Sequence, residues 1–295
     1  MSTYKGIADA NEAIVAAGRY TAPSGAVVQI GDAVAAACAG TISYAPQDLD
    51  RLLAEAVPGT AVTRIEVTGE STMDAARRLT EEGAGGGVSG GAAMRKARIA
   101  ALNFASARNA GGGYRGGARA QEEDLCRVSA LYTALRQAPD YYAAHRAVKD
   151  PFYSHRVIYS PDVPVYRDVR YGLLEAPYPV SFLTSPAPNA GDVARRRPAD
   201  AAALSTVLAE RVARVLAVAA HHECRSLVLG AWGCGVFRND PAHVAVAFQR
   251  SLAAGGTFAG VFDRVVFAVL DKAPGRPNLA AFRAAFGSAG PTDEA

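Results

Sequence analysis

Glu122 and Glu123 stand side by side a short distance after the glycine triplet Gly111-Gly112-Gly113, with Gln121 before them and seven residues between Gly113 and Gln121. Paired carboxylates can deliver and recover a proton, which is general acid and base work. A glycine run, having no Cβ and tolerating positive φ, lets backbone N–H groups close on an anion or a sugar phosphate. The simpler reading is that acidic residues are favoured at helix N-termini by the macrodipole, at a few tenths, roughly 0.3 kcal/mol or more, each. The two readings are compatible, and the glycine loop immediately upstream favours chemistry.

The elements needed to position these groups are legible around them. Residues 97–107, ARIAALNFASA, form a small, apolar run that predicts a strand buried on both faces. From residue 121 the apolar positions Leu125, Val128, Leu131, Tyr132 and Leu135 recur at helical steps, so the acids fall in the first turn of a helix. A second strand–glycine–helix passage covers residues 226–241, SLVLGAWGCGVFRNDP, where Gly230, Gly233 and Gly235 surround Cys234 before a helix starting near Pro241. Such a turn offers backbone N–H groups to a diphosphate. Read plainly, Cys234 is a small residue filling the turn and Phe237 a core aromatic. A third glycine cluster, residues 83–91, repeats the triplet but has no acidic pair at the same distance, and is read as a connection outside the site.

The triplet, spacer and Gln121-Glu122-Glu123 together resemble the signature of the poly(ADP-ribose) glycohydrolases, in particular the compact bacterial-type members built on a macrodomain. The stretch GAWGCGVFRN is similar to the diphosphate loop of the same group. The turn Gly69-Glu70-Ser71-Thr72 also resembles one of its strand-to-helix turns, although Ser71 reads equally as a helix cap. The resemblance implies an α/β, macrodomain-like mixed sheet flanked by helices, and cleavage of ribose–ribose O-glycosidic bonds of poly(ADP-ribose), mainly from chain ends, with release of ADP-ribose. It assigns Glu123 as the general acid that protonates the leaving ribose oxygen and then activates water, and Glu122 as the holder of terminal ribose hydroxyls. It places Asn109 at a ribose hydroxyl, Gly111, Gly112 and Gly113 against that ribose, and Gln121 as the residue that orders the loop. It assigns Gly233, Cys234, Gly235 and Val236 as diphosphate-loop backbone, and Phe237 as the ring against the distal ribose. Neighbours on a regular helix point about 100° apart, so the two acids are expected to have distinct roles. An acid working near neutral pH needs desolvation or nearby negative charge to hold its proton.

Partners implied are poly(ADP-ribose), ADP-ribose and ADP-ribosylated proteins, with no cofactor and no metal. A net charge of +3 over 295 residues is too slight to argue for direct nucleic-acid binding, though it is compatible with a polyanionic substrate. Cys38, Cys126, Cys224 and Cys234 show neither a zinc spacing nor a disulfide framework. The N-terminus lacks the pattern of a secretory leader and the chain has no membrane-length apolar run, so a soluble, cytoplasmic protein is expected. Two other classes stay open at this stage: a non-catalytic ADP-ribose-binding macrodomain, against which the acidic pair argues, and a mono-ADP-ribosyl hydrolase.

Along the chain, residues 1–60 are expected to be an N-terminal extension packed on the same domain, and residues 61–295 a catalytic domain. The extension reads as a helix over 4–17 stopped by Gly18, a strand over 26–30, a helix over 32–39 capped by Asp32, a strand at TISY pairing with the first, and a helix over 47–56. Strands are predicted at 63–68, at 155–160 with Pro161 closing it, in the apolar run of 178–189 that its prolines end, and at 226–232 and 264–270; helices at 71–82, 141–148, 201–220 and 277–286; residues 164–176 read as irregular. Thr184, Ser185 and Asn189 follow a strand end and are candidate lining residues or ordinary turn formers. Arg195, Arg196 and Arg197 read as a solvated face, and His221-His222 as a helix end with no metal partner. The two glycine loops are expected at the same end of one sheet.

Overall fold

A computed structural model of the chain describes residues 3–85 and 98–287. In chain order the elements are α1 (Tyr4–Ala17), β1 (Arg19–Thr21), β2 (Val27–Gln29), α2 (Gly31–Ala39), β3 (Ile42–Tyr44), α3 (Pro46–Glu55), β4 (Arg64–Thr68) and α4 (Thr72–Gly85). Then come β5 (Arg98–Phe104), α5 (Gln121–Val128), α6 (Leu131–Leu135), α7 (Pro139–Ala147), β6 (Val157–Arg167), β7 (Leu173–Ser185) and α8 (Ala190–Arg196). The chain finishes with α9 (Leu204–His221), β8 (Cys224–Leu229), α10 (Pro241–Leu252), β9 (Arg264–Ala268) and α11 (Pro277–Phe286). Seven strands form a mixed sheet in the order β3-β6-β7-β5-β8-β9-β4. This is the expected fold class. The third glycine cluster lies largely outside the described residues.

The chain divides into two compact units. The first comprises Met1–Ala45, Asn103–Lys149 and Arg156–Pro186. In it β6 and β7 form a long antiparallel hairpin, β3 pairs antiparallel with β6, and β1 and β2 form a separate two-stranded ribbon. Three expectations are corrected here. The strand at TISY pairs with β6 and not with the preceding strand. Residues 164–176 are strand on either side of a turn at 168–172, because β6 runs through Pro161, where the register shifts between Ser160 and Val163, and on to Arg167, and β7 starts at Leu173. Asp32 lies in the first turn of α2 but makes no cap; Ile30 holds that position. By contrast, α1 ends as expected, on Gly18 at φ 65.

The second unit comprises Pro46–Leu102, Asp150–His155 and Ala187–Ala295. Its strands are parallel: β5 with β8, β8 with β9, and β9 with β4. Parallel strands are covered on both faces and so read as continuous apolar runs; Ile99 to Leu102 and Val265 to Ala268 are all buried. On α9 the buried Leu208, Val212, Val215 and Leu216 follow helical spacing. Trp232, Phe248, Phe267, Phe282 and Phe286 form a connected aromatic cluster, with ring centroids 4.3 to 6.5 Å apart. Each such ring fully buried is worth about 1.5–3 kcal/mol of transfer free energy, so this cluster fixes α10 and α11 against β9.

Candidate active site

The acids are positioned by three covalently consecutive pieces of the first unit: the end of β5, the loop 105–120, and α5. Gln121 Oε1 accepts the Phe104 N–H at 2.9 Å, tying the first turn of α5 to the strand end. The helix is shorter than the apolar spacing suggested. It stops at Val128, Ser129 adopts an extended backbone (φ −143, ψ 177) and pairs with Val165, and α6 begins only at Leu131. Spacing at three- and four-residue steps continues across that break, which is why the sequence does not reveal it.

Both carboxylates are buried, Glu122 to 3% exposure and Glu123 to 7%. They face different partners. Glu122 Oε2 accepts the Ser106 N–H at 2.7 Å and its Oε1 accepts from Asn103 Nδ2 at 3.2 Å. Burial pushes its carboxyl up to about 8, with the nearby Glu123 charge adding to the rise; the Ser106, Asn103 and Gly111 donors act against it. Glu123 Oε1 accepts the Gly113 N–H at 2.8 Å, while its Oε2 is buried with no hydrogen-bond partner. An orphaned polar oxygen is costly in a native interior, by about 1–3 kcal/mol or more.

The glycines have specific duties. Gly111 and Gly112 adopt φ of 65 and 57, the left-handed region that glycine enters freely. A Cβ at Gly111 would press on Tyr132 and Cys126, and one at Gly113 on the Ala118 side chain, so the loop is closed down onto its own helix. Asn109 is exposed; its carbonyl accepts the Gly112 N–H at 3.0 Å and its N–H reaches Ser106 Oγ at 3.2 Å.

Asn103 escaped the sequence reading. It is fully buried within β5, donates from Nδ2 to both Glu122 Oε1 and Thr184 Oγ1 at 3.2 Å, and leaves its Oδ1 without a partner. An asparagine inside an otherwise apolar strand was the available signal. Thr184 thus shares the Asn103 amide with Glu122, whereas Ser185 bonds the Arg156 carbonyl and Asn189 caps α8 through Asp192 N.

In the second unit the loop after β8 is built as a turn around Gly233 (φ 73), where a Cβ would collide with Asn239 and Ala187. Asn239, also not singled out from sequence, is buried and donates from Nδ2 to the Pro188 carbonyl at 2.8 Å and the Gly233 carbonyl at 3.2 Å. The N–H groups of Cys234, Arg238 and Asn239 are spent on Ala231, Gly235 and Gly233 carbonyls. Among the described residues, those of Gly235, Val236 and Phe237 have no protein acceptor. Val236 is 80% exposed, and the Phe237 ring lies 5.9 Å from Tyr153. Burial pushes the Cys234 thiol up to about 12, so it is a filler of the turn and not a thiolate. A cavity of about 270 Å³ opens at the carboxyl ends of β4 and β9, lined by residues that include Gly69, Val269, Asp271 and Leu279.

Arg195 and Arg197 pair with Asp192, Asp200 and Asp150 on the surface, as a solvated face does. Among the described residues no group of three His, Cys, Asp or Glu side chains is placed to hold a metal, and no helix is long and apolar enough to cross a membrane.

Residues 8–168 match the family described as microbial-type PARG, catalytic domain. The crystal structure of poly(ADP-ribose) glycohydrolase from Thermomonospora curvata is 51% identical to the chain, with a TM-score of 0.87 over 96% of this chain and 99% of that one. The same enzyme bound to the inhibitor ADP-HPD matches at 51% identity and a TM-score of 0.85 over the same shares. The enzyme from Deinococcus radiodurans in complex with ADP-ribose is 48% identical, with a TM-score of 0.78 over 87% of this chain and 98% of that one. No curated protein matches the chain. The chain belongs to the microbial-type poly(ADP-ribose) glycohydrolases.

Proposed function

We propose that this protein hydrolyses the ribose–ribose bonds of poly(ADP-ribose), mainly from chain ends, with Glu123 as the general acid and base. The observation that carries the assignment is the unpartnered, buried Oε2 of Glu123 beside an Oε1 fixed by the Gly113 N–H. One oxygen is thereby oriented by the protein and the other is free to meet substrate. The proton moves from Glu123 to the leaving ribose oxygen as the anomeric C–O bond breaks. The oxocarbenium-like sugar then takes a water, whose proton returns to Glu123. Glu122 receives the terminal ribose hydroxyls, with its carboxyl held in place by the Asn103 side chain and the Ser106 N–H.

The diphosphate is assigned to the loop of Gly233, Cys234, Gly235 and Val236, supported by the N–H groups from Gly235 to Phe237 that no backbone carbonyl takes up, with Phe237 against the distal ribose. The adenosine end is assigned to the cavity beside Val269 and Leu279, at the carboxyl ends of β9, which adjoins β8, and of β4, which adjoins β9. Asn109 is assigned to a ribose hydroxyl and Gln121 to holding the loop. ADP-ribosylated proteins are the physiological carriers of the polymer in this reading.

Incubation with poly(ADP-ribose) and measurement of free ADP-ribose tests the activity. Binding of ADP-ribose without its release from polymer would instead make the chain a reader. Release from mono-ADP-ribosylated peptides but not from polymer would move the reaction to a different aglycone.

A further inference from the structure

We propose that Arg127 is a positioning residue for Glu123, acting through the backbone of Ala118 and Gly113, and that Tyr4 clamps it in place. The inference rests on Glu123 being the acid. Arg127 lies on α5 one turn after the acids, and its side chain is completely buried. Its Nη1 donates to Asp124 Oδ1 at 2.8 Å, and its Nη2 donates to the Ala118 carbonyl. The Ala118 N–H in turn donates to the Gly113 carbonyl at 3.1 Å, and the Gly113 N–H to Glu123 Oε1 at 2.8 Å. The links thus run from a buried guanidinium to the backbone of Ala118, from there to Gly113, and from Gly113 to the carboxylate itself. The carbonyl and the N–H of each residue belong to different peptide units joined through its Cα, so the series acts by fixing position.

A buried guanidinium is retained only where its charge and its donors are answered. Here its Nε stays without an acceptor among the described residues, while the plane is covered by the Tyr4 ring, 4.7 Å from the guanidinium carbon. Arg119 also lies over that ring, at 4.8 Å, and Tyr171 packs against it in a T-shaped arrangement at 5.8 Å while donating its hydroxyl to Asp124 Oδ1. Asn11, fully buried on α1, fixes the same end of α5 by donating to the carbonyls of Cys126 and Arg127. The first helix of the chain therefore braces the guanidinium, and the guanidinium sets where the Gly113 N–H stands relative to Glu123. A lysine cannot do this, because one ammonium on a flexible stem does not present two donors in a fixed plane.

The test compares wild type, Arg127→Lys, Tyr4→Ala, Tyr4→Phe and Glu123→Gln, each as the full chain, in steady-state kinetics on poly(ADP-ribose), ADP-ribose affinity and thermal melting. Displacement of the acid is expected to lower kcat of Arg127→Lys by roughly tenfold to a hundredfold with KM and ADP-ribose affinity nearly unchanged. Tyr4→Ala is expected to lose kcat several-fold and Tyr4→Phe to recover it. Should Arg127→Lys not fold, the Tyr4 pair still decides. Wild-type kcat in Arg127→Lys or in Tyr4→Ala, or equal losses in kcat and ADP-ribose affinity alongside a lowered melting point, overturns the inference. An inactive wild type, or a fully active Glu123→Gln, overturns the underlying reading instead.

Discussion

A Cβ placed on Gly112 would lie 2.4 Å from Glu123 Oε1 and 3.0 Å from Glu122 Oε2, so the two carboxylates converge on a residue that has no room for a side chain. The signature glycine is therefore a steric requirement of the acidic pair as well as a means of bringing backbone to a ligand. Gly112→Ala is expected to displace Glu123 and lower kcat by roughly a hundredfold. It should also destabilise the fold by about 1–2 kcal/mol, the cost of forcing a side chain to positive φ. Kinetics and chemical denaturation measure the two losses separately.

Stability should depend on pH through Glu122. Its carboxyl is raised from an ordinary value of 4.5 to about 8 in the fold, chiefly by burial. Between those values the native chain keeps a proton that the unfolded chain releases. The stabilising contribution is fully present below about pH 4.5, declines as pH rises, and is lost once pH passes about 8. The slope from this one group is at most about 1.4 kcal/mol per pH unit. Glu122→Gln should flatten the pH dependence of unfolding free energy across this window, and an unchanged slope would remove Glu122 as its source.

Asn103 is expected to matter as much as a signature residue. Asn103→Leu keeps the volume but strips the donor from Glu122 Oε1 and Thr184 Oγ1, a loss of about 2 kcal/mol for a buried bond to a carboxyl. Asn103→Asp, which sets a third carboxylate beside the pair, should be worse in both stability and activity. Thermal melts and polymer hydrolysis of the two variants give the order.

The fold was legible where local spacing and composition agree with the tertiary answer. The segment β5, loop and α5 follows from an apolar run, three glycines and an acidic first turn, and β8 with its loop follows in the same way. The β6–β7 hairpin was hidden by proline and polarity: Pro161 reads as a strand terminator, yet it falls where the register shifts, and Pro164, in the span that reads as irregular, stands opposite Pro179. The break at Ser129 was masked because Val128, Leu131, Tyr132 and Leu135 keep a helical period on both sides of it. Asn11 and Arg127 were invisible as site residues for another reason. Their partners lie far along the chain, or are backbone carbonyls, and neither leaves a pattern in sequence.

The loop after β8 makes a separate prediction, because its shape depends on Asn239. Asn239→Ala frees the Gly233 and Pro188 carbonyls from their shared donor. ADP-ribose affinity should fall roughly tenfold, about 1.4 kcal/mol, with a smaller effect on kcat at saturating polymer. Calorimetric titration with ADP-ribose and a KM-against-kcat comparison separate this loop from the acids.

The most direct measurement is the release of ADP-ribose from poly(ADP-ribose) of defined length by the wild type and by Glu123→Gln at matched protein concentration. The wild type is expected to release ADP-ribose and Glu123→Gln to bind ADP-ribose with little change but release almost none. Release by Glu123→Gln at the wild-type rate would contradict the assignment of Glu123 as the acid.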